Sequence, residues 1–154
     1  MVFTFHHRDV DAWEALSKAI WHADFKITNV FPVRSEGISG FHSTSGAIKW
    51  DAVMVCRPKD DQVKPPRDNR GFLHSVQGRQ SKWLREIKKV GLEFGWADSL
   101  SLGYALATQQ AVMRARSLEH ITSLLHKAKD RFVQVLTDRQ RYLLSQTTSM
   151  TGVR

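Results

Sequence analysis

The chain has 154 residues, 42% of them hydrophobic and 25% charged, which is enough apolar mass for one buried core. No apolar run reaches the roughly 18 residues that a membrane span needs. The first residues pass straight from a short apolar run into His6, His7, Arg8 and Asp9, unlike a secretory leader, so the expected setting is the cytoplasm. The single cysteine, Cys56, excludes an internal disulfide and a multi-cysteine zinc site.

The charge is unevenly placed. Residues 1–58 carry six Lys/Arg (Arg8, Lys18, Lys26, Arg34, Lys49, Arg57) against six Asp/Glu, so the net charge of +8 falls wholly in residues 59–154. A neutral first part and a basic second part fit either a polyanion contact or a plain solvated surface.

Val2-Phe3-Thr4-Phe5 is β-branched and aromatic and predicts a buried strand. Asp9 or Asp11 can cap the helix that follows, and Asp11 with Glu14 has the spacing of a capping box. Val10, Trp13, Leu16 and Ile20 then recur at helical spacing to about Ala23. From Lys26 to Val33 the pattern alternates and meets Pro32, predicting a strand that ends there or runs along an edge. Residues 34–45 are rich in Gly and Ser and predict a loop. Ala47 to Arg57 is a further strand centred on Val53, Met54, Val55 and Cys56, the last two strands forming a long hairpin. Strand, helix, strand, loop, strand predicts the closing half of an α/β sheet over residues 1–58.

Residues 59–78 are polar, contain Pro65, Pro66 and Gly71, and predict a linker or mobile loop. Residues 79–147 predict a basic helical region. Trp83, Leu84, Ile87, Val90 and Phe94 form one helix, stopped near Gly95. Asp98 or Ser99 caps a second, from Leu100 to about Arg116, whose Gly103, Ala105, Ala107 and Ala111 allow close packing. Ser117 caps a third, in which Leu118, Ile121, Leu125, Ala128, Phe132 and Val135 form a stripe suited to a core seam or an oligomer contact. Residues 148–154 predict a frayed tail.

Three stretches, in this order and at these gaps, carry a family likeness: residues 2–16, including Val2-Phe3-Thr4-Phe5-His6-His7 and Asp11-Ala12-Trp13-Glu14; Val30-Phe31-Pro32-Val33-Arg34-Ser35-Glu36; and Ala47-Ile48-Lys49-Trp50-Asp51-Ala52 through Pro58. Together they resemble the last strands of the adenine-specific DNA methylases whose full-length members often carry a zinc ribbon. Residues 79–132 are similar to the helical region after the methylase core. The resemblance implies the C-terminal half of a Rossmann-like, class I S-adenosylmethionine-dependent methyltransferase sheet, followed by a three-helix region. Residues 2–5 would be the fifth strand, and the later strands the sixth and the antiparallel seventh. Ligands in such sheets gather at the carboxyl ends of parallel strands. The likeness therefore places His6, His7, Arg34 and Glu36 on the rim of the target-base pocket.

The family's two half-sites are absent from these residues. A Gly-rich turn after the first strand holds the cofactor, whereas here Gly37-Ile38-Ser39-Gly40 follows a late strand and precedes no helix. The amino group of the flipped adenine is held by an Asp/Asn-Pro-Pro-aromatic motif, but the Pro-Pro here, in Lys64-Pro65-Pro66-Arg67, is flanked by cations. No cofactor is expected on the chain alone; S-adenosylmethionine would bind if a partner half supplied the loop.

His6 and His7 suit orienting a base or a phosphate, or a local cap; adjacent strand residues point to opposite faces, so no metal is expected there. His120 and His126 lie six apart and share no helix face. Arg34 and Glu36 suit a shared polar contact. Lys59, Lys64, Arg67, Arg70, Arg79, Lys82, Arg85, Lys88 and Lys89 make the nucleic-acid case. Lys82, Arg85, Lys88 and Lys89 share a solvent face opposite Trp83, Ile87 and Val90, suited to phosphate rather than to base edges.

The expected function is a truncated or split adenine-specific DNA methyltransferase component, inactive alone and completing a separately encoded half. The alternative is a catalytically silent module that binds DNA or a partner; an independent enzyme using His6, His7 and Glu36 has no other support. Residues 2–5 would expose an unpaired strand edge, which predicts a homo-oligomer or a complex with the missing half.

Overall fold

A computed structural model describes residues 1–35, 48–60 and 71–151, with side chains through residue 138. The elements follow the order β1 (Val2–Phe5), α1 (Val10–His22), β2 (Phe25–Arg34), β3 (Trp50–Pro58), α2 (Phe72–Lys89), α3 (Trp96–Arg114) and α4 (Leu118–Thr151). Mixed α/β is therefore the class. Among the described residues the strands form one sheet ordered β1-β3-β2.

Both pairings are antiparallel. β1 runs from Val2 opposite Val55 to Phe5 opposite Ala52, and β2 from Phe25 opposite Pro58 to Arg34 opposite Trp50. β1 and β2 therefore share a direction, with β3 reversed between them and α1 connecting them. Pro32 sits in β2, an edge strand among the described residues, where its missing N–H faces away from β3. A bulge between Ile27 and Asn29 shifts the register and turns both Ile27 and Val30 toward the core.

Ile27, Val30, Ala52, Met54 and Cys56 form the buried face of the sheet, against α1 and α3. The reverse face carries Val2, Phe31 and Val33, which are exposed. α3 is the central element: every residue from Ser101 to Val112 is buried, beneath α1, α2, α4 and the sheet. Such a helix carries no polar stripe, and its small residues allow this approach. A Cβ on Gly103 would stand 2.8 Å from Phe132 Cζ on α4. Trp13 and Trp50 belong to the core, as their helix and strand positions predict.

Several boundaries differ from the sequence reading. α2 starts at Phe72, inside the stretch expected to be linker, because Phe72 and Val76 are fully buried one turn apart. It closes at Gly91, not near Gly95. Gly91 has φ 73°, its N–H donates to the Lys88 carbonyl (3.1 Å), and the Leu92 N–H donates to that of Ile87 (3.2 Å), which is a Schellman closure. Val90 consequently lies beyond the helix and is 69% exposed, not part of an apolar face.

α3 begins at Trp96, four residues before Leu100. α4 continues through Thr151, past the predicted start of fraying, because residues 118–151 contain neither Gly nor Pro. Its stripe is a core seam at Ile121, Leu125, Ala128 and Phe132, while Val135 is exposed. The two parts expected on either side of a linker share one hydrophobic core. Among the described residues no helix is long and apolar enough to cross a membrane.

Candidate functional site

The ends of β1 and β2 and the start of β3 make one rim of the sheet. Phe5 faces Ala52 in the register, so the next residue, His6, comes beside Asp51, and His6 Nδ1 is paired with Asp51 Oδ1. His6 is about half exposed. With Nδ1 engaged, Nε2 is the ring nitrogen available to a ligand, and the carboxylate fixes the plane of the ring. This arrangement can position a polar base edge or exchange one proton with it. Val33 and Arg34 complete the row from β2, opposite Asp51 and Trp50, with Arg34 exposed.

His7 does something else. Its Nδ1 accepts from the backbone N–H of Asp9 (3.0 Å), and its carbonyl accepts from Trp13 Nε1 (2.9 Å). It closes the turn into α1. Asp9 is the N-cap residue but makes no side-chain cap bond, and the predicted Asp11–Glu14 capping box does not form. Glu14 turns to α4 instead.

Asp98 supports the rim from below. It is 2% exposed; its Oδ1 accepts from the backbone N–H groups of Lys49 (2.6 Å) and Trp50 (3.1 Å), and its Oδ2 from Gly95 (3.0 Å). One carboxylate thus caps α3 and fixes the first residue of β3, next to Asp51. Trp50 Nε1 donates to the Glu93 carbonyl (3.2 Å), and its ring lies 5.2 Å from that of Phe94. A recess of about 350 Å³ opens here between Lys49 and the segment Glu93–Asp98.

Of the predicted basic residues, Arg79, Lys82, Arg85, Lys88 and Lys89 are exposed on α2. Lys89 holds Glu86 at 2.9 Å, and this contact, followed by the other cations of the helix, lowers the Glu86 carboxyl below its usual range. Soon after α2, Glu93 reaches Trp50, so Lys88 and Lys89 lie toward the same end of the sheet as Arg34. Arg79, also exposed on α2, donates to the buried Gln109 Oε1 (2.9 Å). Lys59 lies 3.6 Å from Asp24 Oδ1 and over the Trp21 ring. Glu36, Lys64, Arg67 and Arg70 lie outside the described residues, as do the Gly37–Gly40 and Pro65–Pro66 stretches.

Two groups have no local signal in the sequence. Asp51 pairs with His6 across 45 positions. Glu14 joins α1 to α4: Lys18 and the Thr122 hydroxyl (2.7 Å) share its Oε1, and His126 Nε2 stands 3.3 Å from its Oε2. The Lys18 hydrogen bond, ahead of those from Thr122 and His126, holds the Glu14 carboxyl below its usual range. Asp11 brings a third ligand-type group within 4.8 Å. Both oxygens of Glu14 are already engaged, one of them by a cation, so the cluster reads as an interhelical staple.

Comparison with family models, with curated proteins and with solved structures finds no match to this chain.

Proposed function

We propose that this chain supplies the C-terminal strands, the target-base rim and a DNA-backbone contact of an adenine-specific DNA methyltransferase, with the cofactor half provided by other polypeptide. The observation that supports this reading best is the sheet. Two strands sharing a direction are joined by a helix, and the last strand runs antiparallel to both, in keeping with the antiparallel seventh strand that the resemblance implies. His6, with its ring held by Asp51, stands at the carboxyl end of β1, the end where ligands of such sheets gather. Lys88 and Lys89, at the end of α2, lie toward that same end.

Among the described residues, the strand-to-helix turn after β1 does not fit S-adenosylmethionine. A nucleotide-type cradle needs a strand-to-helix turn with free N–H groups and glycines. The turn from β1 into α1 has no glycine: it reads His6-His7-Arg8-Asp9, and the Asp9 N–H is already donated to His7. No step of methyl transfer is therefore assigned to this chain alone.

Calorimetric titration of the isolated chain with S-adenosylmethionine tests the reading: no saturable heat is expected. Methyl transfer to DNA is expected only after a polypeptide carrying the Gly-rich turn and the Pro-Pro-aromatic motif is added, and His6→Ala is expected to slow it. Saturable cofactor binding by the chain alone would contradict the proposal. Salt-dependent DNA retention that no such addition converts to methylation would favour a silent binding module.

A further inference from the structure

We propose that the groove at the opposite end of the sheet, beneath the start of β2 and the end of β3, binds a phosphoryl group. The inference stands apart from the methyltransferase reading, and its failure would leave that reading unchanged. The groove has a volume of about 270 Å³ and is walled by Lys26, Lys59 and Arg79, with Asp60 the one carboxylate lining it among the described residues. Three cations around a concave surface, offset only by the exposed Asp60 and, behind Lys59, the exposed Asp24, favour an anionic occupant.

The cations are set in place by different means. Arg79 is fixed from behind. Gln109, 3% exposed, accepts from Arg79 Nη1 at 2.9 Å through Oε1, while its Nε2 donates to the Thr28 carbonyl at 2.9 Å and lies 3.3 Å from that of Ile27, at the β2 bulge. One amide thus ties the guanidinium to the sheet. Among the described residues no carboxylate pairs with Arg79, so most of its five donors remain for a ligand, in the planar fork that suits phosphate. Lys59 is steadied over the Trp21 ring, 5.0 Å from its centroid, and lies 3.6 Å from the largely exposed Asp24 Oδ1.

Lys26 already shows how an anionic oxygen rests here. Its Nζ holds Asp60 Oδ1 at 2.6 Å, and that contact holds the Asp60 carboxyl below its usual range. Asp60 is largely exposed, so the pair exchanges readily with an incoming anion. Ile27, Val112 and Met113 add apolar lining with room beyond the phosphate itself, which suits the organic part of a phosphate ester.

The test is a titration of the isotopically labelled full chain with inorganic phosphate at constant ionic strength in sodium chloride, followed by amide NMR. Saturable shifts are expected at Thr28, Gln109 and Arg79. Arg79→Gln and Lys59→Gln are each expected to weaken binding about tenfold, the loss of one charge-assisted contact. Lys129→Gln, exposed on α4, should leave it unchanged. Absence of saturable shifts, or unweakened affinity in both groove variants, would overturn the proposal; two variants guard against one that misfolds. Ribose 5-phosphate and a short DNA duplex then separate the sources. Tighter binding of the ester assigns the groove to a free phosphorylated molecule, and displacement of phosphate by duplex alone assigns it to the nucleic-acid backbone.

Discussion

Asp98 offers two carboxylate oxygens to three backbone N–H groups in an almost fully buried setting. Asp98→Ala is expected to cost about 3 kcal/mol in urea denaturation, since it leaves those donors short of partners. Asp98→Asn, which keeps one oxygen, should cost less. Glu14 adds a pH dependence. Its folded-state carboxyl titrates below its unfolded value, so the stabilisation is present above the usual carboxylate range and is lost as the pH falls through the folded value. Glu14→Gln should flatten that part of the stability profile. Cys56 is 1% exposed and burial pushes its thiol up, so it should resist alkylation in the native chain and react on unfolding. Among single residues the sequence reveals types better than partners. Asp98 is visible as a helix-cap residue and His6 as a rim residue. The reach of Asp98 to β3, and of Asp51 to His6, depends on strand register, which residues 48 and 45 positions apart do not display locally.

Among the elements, α3 shows most clearly what close packing demands. Gly103→Ala would gain about 1 kcal/mol of helix propensity, but its methyl would meet Phe132 at 2.8 Å and Gln80 at 3.2 Å. Overpacking costs about 1–3 kcal/mol, so a net loss of about 1 kcal/mol is expected in thermal denaturation. Phe132→Leu should then be less harmful in the Gly103→Ala variant than in the native chain, a coupling that a double-mutant cycle measures. The small residues of α3 are legible as a packing signal. Less legible is the start of α2: Phe72 and Val76 carry the helical spacing, but the neighbouring Pro65, Pro66 and Gly71 suggest a loop that continues farther. The stop at Gly91 depends on a left-handed residue that a glycine permits but does not announce.

For the whole molecule, strand–helix–strand–strand order is legible from alternation and periodicity, and so is the edge position of Pro32. The placement of β3 between β1 and β2 is not, because strand order depends on long-range pairing. The union of both parts of the chain into one core is also hidden: residues 59–78 look like a boundary in composition, yet α3 packs directly on the sheet. The charge asymmetry is plain, and the fold divides it. Arg79 and Lys59 turn toward the groove, while Lys82, Arg85, Lys88 and Lys89 remain on the solvent face of α2. Fluorescence anisotropy of a labelled duplex over a range of salt concentrations probes the DNA contact proposed for that face. Each phosphate contact contributes about −0.9 to the slope of log affinity against log salt. Changing Lys82, Arg85, Lys88 and Lys89 together to Gln is expected to weaken binding at low salt and to make the slope shallower by about 3 to 4. An unchanged affinity and slope in that variant, with its fold intact by circular dichroism, would contradict the proposed contact.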